Sequence, residues 1–297
     1  MSVAVVTDST AYLPADVVEK LGIEVVPLYV VLAGRSGREG REIGPREVAQ
    51  ALAVRGQHVS TSRPSPGDFV AAYRRCLEAG AERLVSVHLS RELSGTWDAA
   101  RVAAQQVGEH IVTVVDSRST GMGTGFPVLA AARAAAAGAD AETVAAVARS
   151  LAEDARTLFV VDTLEHLRRG GRIGAAAAVL GSALAVKPLL QVVGGRVVPL
   201  EKVRTSARAI NRLVQLAVET AGEHDVWVAV HHLAAAERAE RLADELRHRL
   251  PNMRELYVSE IGAAIGAHVG PGAVGVVVAP VPAETAQPAG EGATPAD

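Results

Sequence analysis

The segment TSRPSPGDF, residues 61–69, carries more hydroxyl groups than its local structure needs. Ser65 is a typical helix N-cap, and Asp68, three residues further on, favours the positive end of the helix dipole. Thr61 and Ser62 precede this cap and are not required for it. Because the two prolines stiffen the approach, the sequence predicts a rigid loop that offers two hydroxyls to a ligand. The alternative is the chance placement of Ser and Thr in a loop.

A second polar cluster lies in HLSRELSGTW, which ends at residue 97. Either Ser94 or Thr96 can cap the helix that follows, and Gly95 lets a ligand approach the backbone closely. The amides of Gly95 and Thr96 at a helix N-terminus favour an anion, and a carboxylate suits such a mixture of amides and hydroxyls. Taken alone, the cluster is better explained as one helix cap.

A third cluster is GAHVGPGAVGVVV, in which residues 270–275 match the spacing G-x-G-x-x-G. In a dinucleotide site these glycines follow a strand and open a helix. Here they lead into a strand, so we reject a nucleotide site. His268 precedes the turn and can donate a hydrogen bond to an anion, although a lone histidine is more often structural.

Basic residues form a fourth group in the second half of the chain. They predict a cationic surface for a phosphate or an acidic partner, or simply a solvated face. The group comprises Arg168, Arg169, Arg172, Lys187, Lys202, Arg204 and Arg208.

Common catalytic and metal motifs are missing from the sequence. It has no zinc-type Cys/His spacing, no H-E-x-x-H, no Walker lysine motif and no G-x-S-x-G elbow. A nucleophilic Ser94 would need a neighbouring base. His88 and His268 are candidates for that base, but the sequence does not place either beside it.

The composition of the 297 residues indicates a soluble protein with an aliphatic interior. Hydrophobic residues make up 49% and aromatic residues only 3%, which suits an ordinary core or a site for an alkyl chain. The net charge of −3 gives no reason to expect nucleic acid or a membrane surface as a partner. Cys76 is the single cysteine, which fits a reducing cytoplasm. We expect no signal peptide and no stable membrane insertion, because no basic leader or long apolar run is present.

Short apolar runs alternate with helical patterns through the first half of the chain. This alternation predicts an N-terminal α/β domain over residues 1–155, with a mostly parallel sheet between two helical layers. The second half contains more strands, and we expect a C-terminal α/β domain over 156–280. The Pro/Ala/Gly-rich segment 281–297 is expected to be disordered.

Eight segments, in order and over residues 3 to about 278, resemble those of the DegV family. One such segment would be weak support, whereas eight in order are specific. They are VTDSTAYLP, TSRPSPGDF, LSRELSGTW, VVDSRSTGMGTG, TLEHLRRGGRIG, GSALAVKPLL, KVRT and GPGAVGVVV.

The resemblance implies a particular two-domain α/β fold and function. The fold has an N-terminal three-layer α/β/α domain and a C-terminal two-layer domain with a mixed sheet. Such a protein buries one long-chain fatty acid between its domains. It presents the carboxylate to the catalytic subunit of a separate fatty acid kinase, and the acyl phosphate feeds phospholipid synthesis. The carrier would be cytoplasmic, with no catalytic machinery, cofactor or metal of its own.

By motif, the resemblance also implies two groups of site residues. The fatty-acid-binding group is Thr61, Ser62, Ser94, Gly95, Thr96 and His268. Two further residues, Arg172 and Arg204, would face the kinase and its phosphate.

The chain departs from the family pattern at two places. Arg63 replaces the Gln common in TSQPSP, and Arg91 with Glu92 replaces a small, Ser/Gly-rich lead-in before LSGT. Three other readings remain open from the residues: a serine hydrolase that uses Ser94, a small-molecule kinase of dihydroxyacetone-kinase type, and a ligand-controlled regulatory protein.

Overall fold

The computed structural model describes residues 2–54, 57–173 and 187–282. The strands are β1 (Val3–Asp8), β2 (Glu24–Val26), β3 (Tyr29–Leu32), β4 (Arg35–Arg38), β5 (Val59–Ser62), β6 (Arg83–His88), β7 (Val112–Asp116), β8 (Arg156–Val160), β9 (Lys187–Val193), β10 (Arg196–Val203), β11 (Val226–His232), β12 (Met253–Glu260) and β13 (Val274–Pro280). The helices are α1 (Ala15–Lys20), α2 (Pro45–Ala53), α3 (Pro66–Glu78), α4 (Thr96–Val107), α5 (Met122–Ala136), α6 (Ala141–Asp154), α7 (Glu165–Arg169), α8 (Ser206–Ala221), α9 (Ala236–Arg249) and α10 (Ala263–Val269).

A four-stranded parallel sheet forms the centre of the first half, in the order β2-β1-β6-β7. Helices α5 and α6 bury their alanine-rich faces on one side of it, and α3 and α4 cover the other side. Both faces are therefore buried, which explains why its strands are rich in valine. The expected three-layer α/β/α arrangement is confirmed.

A six-stranded mixed sheet forms the second half, in the order β10-β9-β8-β13-β11-β12. Only β11 and β12 pair in parallel, and the other neighbours are antiparallel. Helices α8 and α9 cover one face. Part of the other face packs against α5 of the first half. The mixed sheet with one layer of its own helices confirms the predicted fold of the second half.

A third sheet, antiparallel and ordered β4-β3-β5, is absent from the sequence-based prediction. The apolar run IEVVPLYVVL, residues 23–32, has the composition of one continuous strand. It is divided at Pro27 into β2 and β3, which belong to different sheets. The predicted loop at Thr61 and Ser62 is also wrong, because both residues end β5 and pair with Val30 and Tyr29. This small sheet and α2 pack on α10 from the second half.

The sequence predicted the N-cap of α3 correctly and the N-cap of α4 incorrectly. Ser65 accepts a hydrogen bond from the Asp68 amide at the start of α3, and the Asp68 carboxylate accepts one from the Ser65 amide. At α4 the N-cap is Gly95, with no side-chain cap. The predicted cap by Ser94 or Thr96 is therefore wrong.

Across the part of the chain that the structure describes, no helix is both long and apolar enough to span a bilayer. The part of the motif GSALAVKPLL up to position 186 lies outside the described residues. The segment from residue 283 onward, which is expected to be disordered, lies outside them too.

Candidate functional site

An apolar cavity lies between the two halves of the molecule, and we call it the central cavity. The cavity and the open space at its mouth together comprise about 890 Å³. The second half contributes β8, β13 and α10, and the first half contributes the ends of β5, β6 and β7. Its apolar lining is Leu28, Leu89, Leu93, Leu158, Phe159, Leu167, Val197, Ile261, Ala264, Ile265, Val269, Ala273, Val274, Val276 and Val277.

Polar groups meet at one end of the central cavity. Thr61 Oγ1 and His268 Nε2 are 2.9 Å apart, although the two residues are 207 positions apart in the sequence. Arg172 lines the same region, and its Nε donates to the Leu93 carbonyl at 3.2 Å. This bond holds the guanidinium beside Ser94, which also lines the cavity. Two hydroxyls, one imidazole and one guanidinium therefore border this end of a mainly apolar space.

The imidazole of His268 is neutral at physiological pH. Burial, followed by the neighbouring Arg172 charge, lowers the pKa of His268 from 6.5 to about 4. A neutral ring has one N–H donor. If that proton lies on Nε2 and is donated to Thr61, the Thr61 hydroxyl is free to donate to a ligand. The site thus combines neutral donors with a single permanent cation at Arg172, a combination that suits a carboxylate.

The structure places the six predicted fatty-acid-binding residues in two groups. Thr61, Ser94 and His268 line the central cavity, whereas Ser62, Gly95 and Thr96 do not. Successive side chains of a strand point to opposite faces, so Ser62 is exposed in an outer groove while Thr61 faces inward. Thr96 is fully buried, and its Oγ1 lies 2.9 Å from Ser94 Oγ. Gly95 and Thr96 therefore support the loop that carries Ser94.

Each of the three residues that depart from the family pattern contacts another residue of the chain. The Arg63 side chain lies over Gly95, where an added Cβ would come within 2.2 Å of Nη1. Arg91 stacks on Trp97 with 5.6 Å between its guanidinium carbon and the ring centroid. Glu92 accepts from Arg196 of β10 at 2.6 Å. The Glu92–Arg196 contact ties the loop before Ser94 to the second half of the chain.

The two arginines expected to face a kinase lie in different settings. Arg172 is partly buried and lines the central cavity. The resemblance assigned it only to the partner side, so sequence reasoning missed its contact with the cavity. Arg204 is exposed, directly after β10.

A buried carboxyl group supports the start of α10, the helix that carries His268. Glu39 is only 5% exposed. Its Oε1 accepts from the Ala264 amide at 2.7 Å and from the Tyr12 hydroxyl at 3.2 Å, and Ser9 contacts its Oε2. Gly262 is needed here, since a Cβ would lie 2.3 Å from Oε1 of Glu39. Burial raises the pKa of Glu39 above its usual value.

This raised pKa predicts a stability that falls as the pH rises. The folded protein holds the Glu39 proton more tightly than the unfolded chain does, so the stabilisation is complete below about pH 4.5. It is lost as the pH rises through the folded-state pKa. Glu39→Gln keeps one acceptor and places N–H donors where the acid proton would be. We expect this variant to lose the pH dependence, as measured by urea unfolding at about pH 5 and about pH 8.

Glu39→Ala is the matched control for this prediction. It should be destabilised by about 1–3 kcal/mol at both pH values, because the Ala264 amide loses its buried partner. A Glu39→Gln variant with the same pH slope as the parent would contradict the assignment.

A second buried network explains His88, one of the two candidate bases. His88 Nδ1 lies 3.0 Å from the Asp8 carboxylate, and its Nε2 lies 2.6 Å from Ser86 Oγ, to which Tyr73 donates at 2.9 Å. All four side chains are fully buried. The order Asp–His–Ser matches a hydrolytic triad, but the serine is Ser86, which does not line the central cavity.

Within the described residues, neither candidate base is hydrogen-bonded to Ser94. Ser94 Oγ pairs with Thr96 Oγ1, His88 with Ser86, and His268 with Thr61. The geometry therefore gives no support to Ser94 as an activated nucleophile.

Other polar groups of the cavity wall lie along β8, β11 and the start of α5. His231 accepts from the Met122 amide at 3.0 Å through Nε2, so its proton lies on Nδ1, 3.0 Å from Ser259 Oγ. Burial lowers the pKa of His231 to about 4. Thr120 lines the cavity too, and its buried Oγ1 has no hydrogen-bond partner among the described residues. No cluster that could hold a metal ion occurs in the described part of the chain.

The parallel and mixed sheets, with an apolar cavity between them and polar groups at one end, define a two-domain α/β protein with a small-molecule binding site. The family model described as "uncharacterised protein, DegV family" matches residues 2–281. The chain belongs to the DegV family.

Known relatives match almost the whole chain. A DegV domain-containing protein of Streptomyces coelicolor is 56% identical over 276 residues, which is 93% of this chain and 98% of the relative. A solved DegV family structure from Thermus thermophilus, described by its fatty acid binding, has a TM-score of 0.90 at 37% identity and covers 95% of this chain and 100% of its own. DegV of Bacillus subtilis, described as a fatty acid binding protein, has a TM-score of 0.86 at 35% identity and covers 95% and 100%.

Proposed function

We propose that this protein is a carrier that buries one long-chain fatty acid in the central cavity. The observation that carries the proposal is the lining of that cavity, which is mainly apolar, with Thr61, Ser94, Arg172 and His268 gathered at one end. Burial of an alkyl chain contributes about 0.8 kcal/mol per methylene group. A charged head without partners would cost several kcal/mol, which accounts for the hydrogen-bonding groups gathered at that end. The fatty acid binding described for the Thermus and Bacillus proteins supports the proposal.

In this proposal the carboxylate lies between Thr61, Ser94 and His268. The two hydroxyls donate hydrogen bonds to the carboxylate, His268 orients the Thr61 hydroxyl, and Arg172 supplies the positive charge. Ser62 is exposed, and Gly95 and Thr96 act by shaping the loop. The acyl chain runs toward β8 and β13, whose valines and Phe159 form the opposite wall.

We further propose that the protein presents this carboxylate to a separate fatty acid kinase. The carrier would have no catalysis of its own, and the acyl phosphate would enter phospholipid synthesis. Arg172 at the cavity mouth and the exposed Arg204 would face the kinase and its phosphate. A cytoplasmic location agrees with the single cysteine, Cys76. The division into domains 1–155 and 156–280 stays a prediction.

The ligand content of the purified protein tests the first part of the proposal. We expect native mass spectrometry and lipid extraction to find about one fatty acid per chain, as the single central cavity predicts. After removal of the lipid, the protein should bind an added long-chain fatty acid and no nucleotide. Protein that neither carries nor rebinds a fatty acid would refute the carrier.

The presentation step needs a separate measurement. A fatty acid kinase with ATP should phosphorylate the fatty acid only when this protein is present and loaded. Labelling of Ser94 by a serine-reactive phosphonate would instead favour the hydrolase. Fatty-acid-dependent binding to a partner without kinase activity would favour a regulatory protein.

A further inference from the structure

Three hydroxyl groups lie together in the wall of the central cavity, away from the residues proposed to hold the carboxylate. They belong to Ser119, Thr120 and Thr157, and we call them the wall cluster. Thr120 and Thr157 line the cavity, and Ser119 Oγ lies 3.0 Å from Thr157 Oγ1. The proposed carboxylate site uses none of them, so their presence in a mainly apolar wall needs a separate explanation.

The wall cluster lies toward the opposite end of β8 and β13 from the proposed carboxylate site. Thr157 is near the start of β8, which then runs toward α7, and β13 begins shortly after His268. In the antiparallel register Val160 pairs with Val274, whereas Thr157 pairs with Val277. Three residues of a strand span about 10 Å. A fatty acid whose carboxylate lies beside His268 would therefore reach the wall cluster with its middle or its methyl end.

The hydroxyls of the wall cluster can form more hydrogen bonds than the protein supplies. Thr120 Oγ1 is buried and has no hydrogen-bond partner among the described residues. Ser119 and Thr157 share one hydrogen bond, and because one hydroxyl donates to the other, one O–H proton is left to donate elsewhere. The neighbouring His231 cannot take it, since both of its ring nitrogens are already hydrogen-bonded. Buried polar groups are rarely left unpaired, so a partner from outside the protein is expected.

Close approach of the backbone leaves room for these hydroxyls. A Cβ on Gly123 would lie 2.1 Å from Ser119 Oγ and 2.4 Å from Thr157 Oγ1, so a larger residue would displace both. Gly121 has φ +61°, in the left-handed region, and its Cβ would lie 3.2 Å from Nε2 of His231. Two glycines at the start of α5 therefore fix the wall cluster, an arrangement that a purely apolar cavity wall does not require.

We propose that the wall cluster binds a hydroxyl group carried on the acyl chain, so that the preferred ligand is a hydroxylated long-chain fatty acid. This inference rests on the proposed function. A hydroxyl both donates and accepts, so it can accept the spare proton of the Ser119–Thr157 pair and donate to Thr120 Oγ1. A methylene group can do neither. A hydroxyl at another position of the chain would face the apolar lining and stay unpaired.

The experiment measures how the affinity depends on the position of the ligand hydroxyl. Octadecanoic acid is compared with monohydroxyoctadecanoic acids that carry the hydroxyl at successive positions from mid-chain to the methyl end. Affinities are measured by calorimetry on delipidated protein. We expect one position, or two adjacent ones, to bind at least as tightly as octadecanoic acid. The other isomers should bind about tenfold more weakly, because their hydroxyl is buried without a partner.

Two variants remove one hydroxyl each from the cavity wall. Thr120→Val keeps the shape of the side chain and should lower the affinity ratio of the favoured isomer to octadecanoic acid by about tenfold. Thr157→Val should lower the same ratio independently, whereas Thr120→Ser keeps a hydroxyl and should retain the preference. Thr220→Val is the matched control, because the exposed Thr220 hydroxyl on α8 donates to the Leu216 carbonyl. It should change no affinity.

The outcomes separate this inference from the proposed function. If every hydroxylated isomer bound more weakly than octadecanoic acid, an ordered water would be the partner of Thr120 and the inference would be overturned. A positional preference that survived in both Thr120→Val and Thr157→Val would overturn it too. A parent protein that bound neither octadecanoic acid nor any of its hydroxylated isomers would instead overturn the proposed function.

Discussion

Replacing Asp8 by Ala should lower the free energy of unfolding by about 3–5 kcal/mol. The carboxylate joins the ends of β1 and β6 through buried hydrogen bonds. It accepts from His88 Nδ1 and from the Leu89 amide, each at 3.0 Å, and from the amide and hydroxyl of Thr10 at 3.0 and 2.6 Å. Ala leaves these donors unpartnered in a fully buried place. Each unsatisfied buried donor costs about 1–3 kcal/mol.

Asp116→Ala is the matched control, measured by urea unfolding under the same conditions. Asp116 ends the neighbouring strand β7, and its carboxylate accepts from the Arg118 amide at 2.8 Å. Its side chain is partly exposed, so water can replace the lost bond. We expect a cost of about 1 kcal/mol. If Asp8→Ala cost no more than Asp116→Ala, the buried network would not have the stabilising role assigned to it.

The parts of the fold that sequence predicted correctly are those encoded by neighbouring residues. The Ser65–Asp68 capping box is a local signal, and so is the alternation of apolar runs with helical periods. Both survive in the structure as α3 and as the layered sheets. The sequence-based predictions failed where residues adjacent in the chain belong to different sheets. Pro27 divides one apolar run between two sheets, because it cannot donate a ladder hydrogen bond.

The candidate site shows the same division between local and distant information. The sequence alone indicated that the hydroxyls of Thr61 and Ser94 could bind a ligand. The sequence did not show that Thr61 lies beside His268, which is 207 residues away in the chain. The inward face of Thr61 and the outward face of Ser62 follow from the strand β5, which was predicted as a loop. Once that strand is known, the period of two assigns the two hydroxyls to opposite sides.

The contact of Arg172 with the central cavity was missed for a further reason. The run RRGGR contains the signal, since paired glycines beside arginines indicate a close approach of backbone to another group. What approaches Gly170 is the His268 ring, and the sequence does not give that pairing. Some glycines are required because a side chain far away in the sequence packs against them. Such a glycine can be recognised only once the positions of both segments are known.

Gly170→Ala should reduce the affinity for a long-chain fatty acid by about 10- to 100-fold, as measured by calorimetry on delipidated protein. The backbone at Gly170 has φ −72° and ψ −13°, which Ala adopts without strain. The added Cβ would lie 2.2 Å from Nδ1 of His268, so the ring must move. Movement breaks its contact with Thr61. The Thr61 hydroxyl is then no longer oriented toward the carboxylate. Loss of a hydrogen bond to a charged group costs about 1.5–3 kcal/mol, and each 1.4 kcal/mol is about tenfold in affinity.

A double-mutant cycle distinguishes this mechanism from a general loss of structure. If Ala at 170 acts by displacing the imidazole, adding Gly170→Ala to His268→Ala should lower the affinity little further. Gly67→Ala is the control for the glycine replacement itself, because its Cβ would meet only Ser65 Oγ at 3.6 Å on the surface of α3. Additive losses in the cycle, or an unchanged affinity in Gly170→Ala, would show that the packing of His268 on Gly170 does not position the donor for the carboxylate.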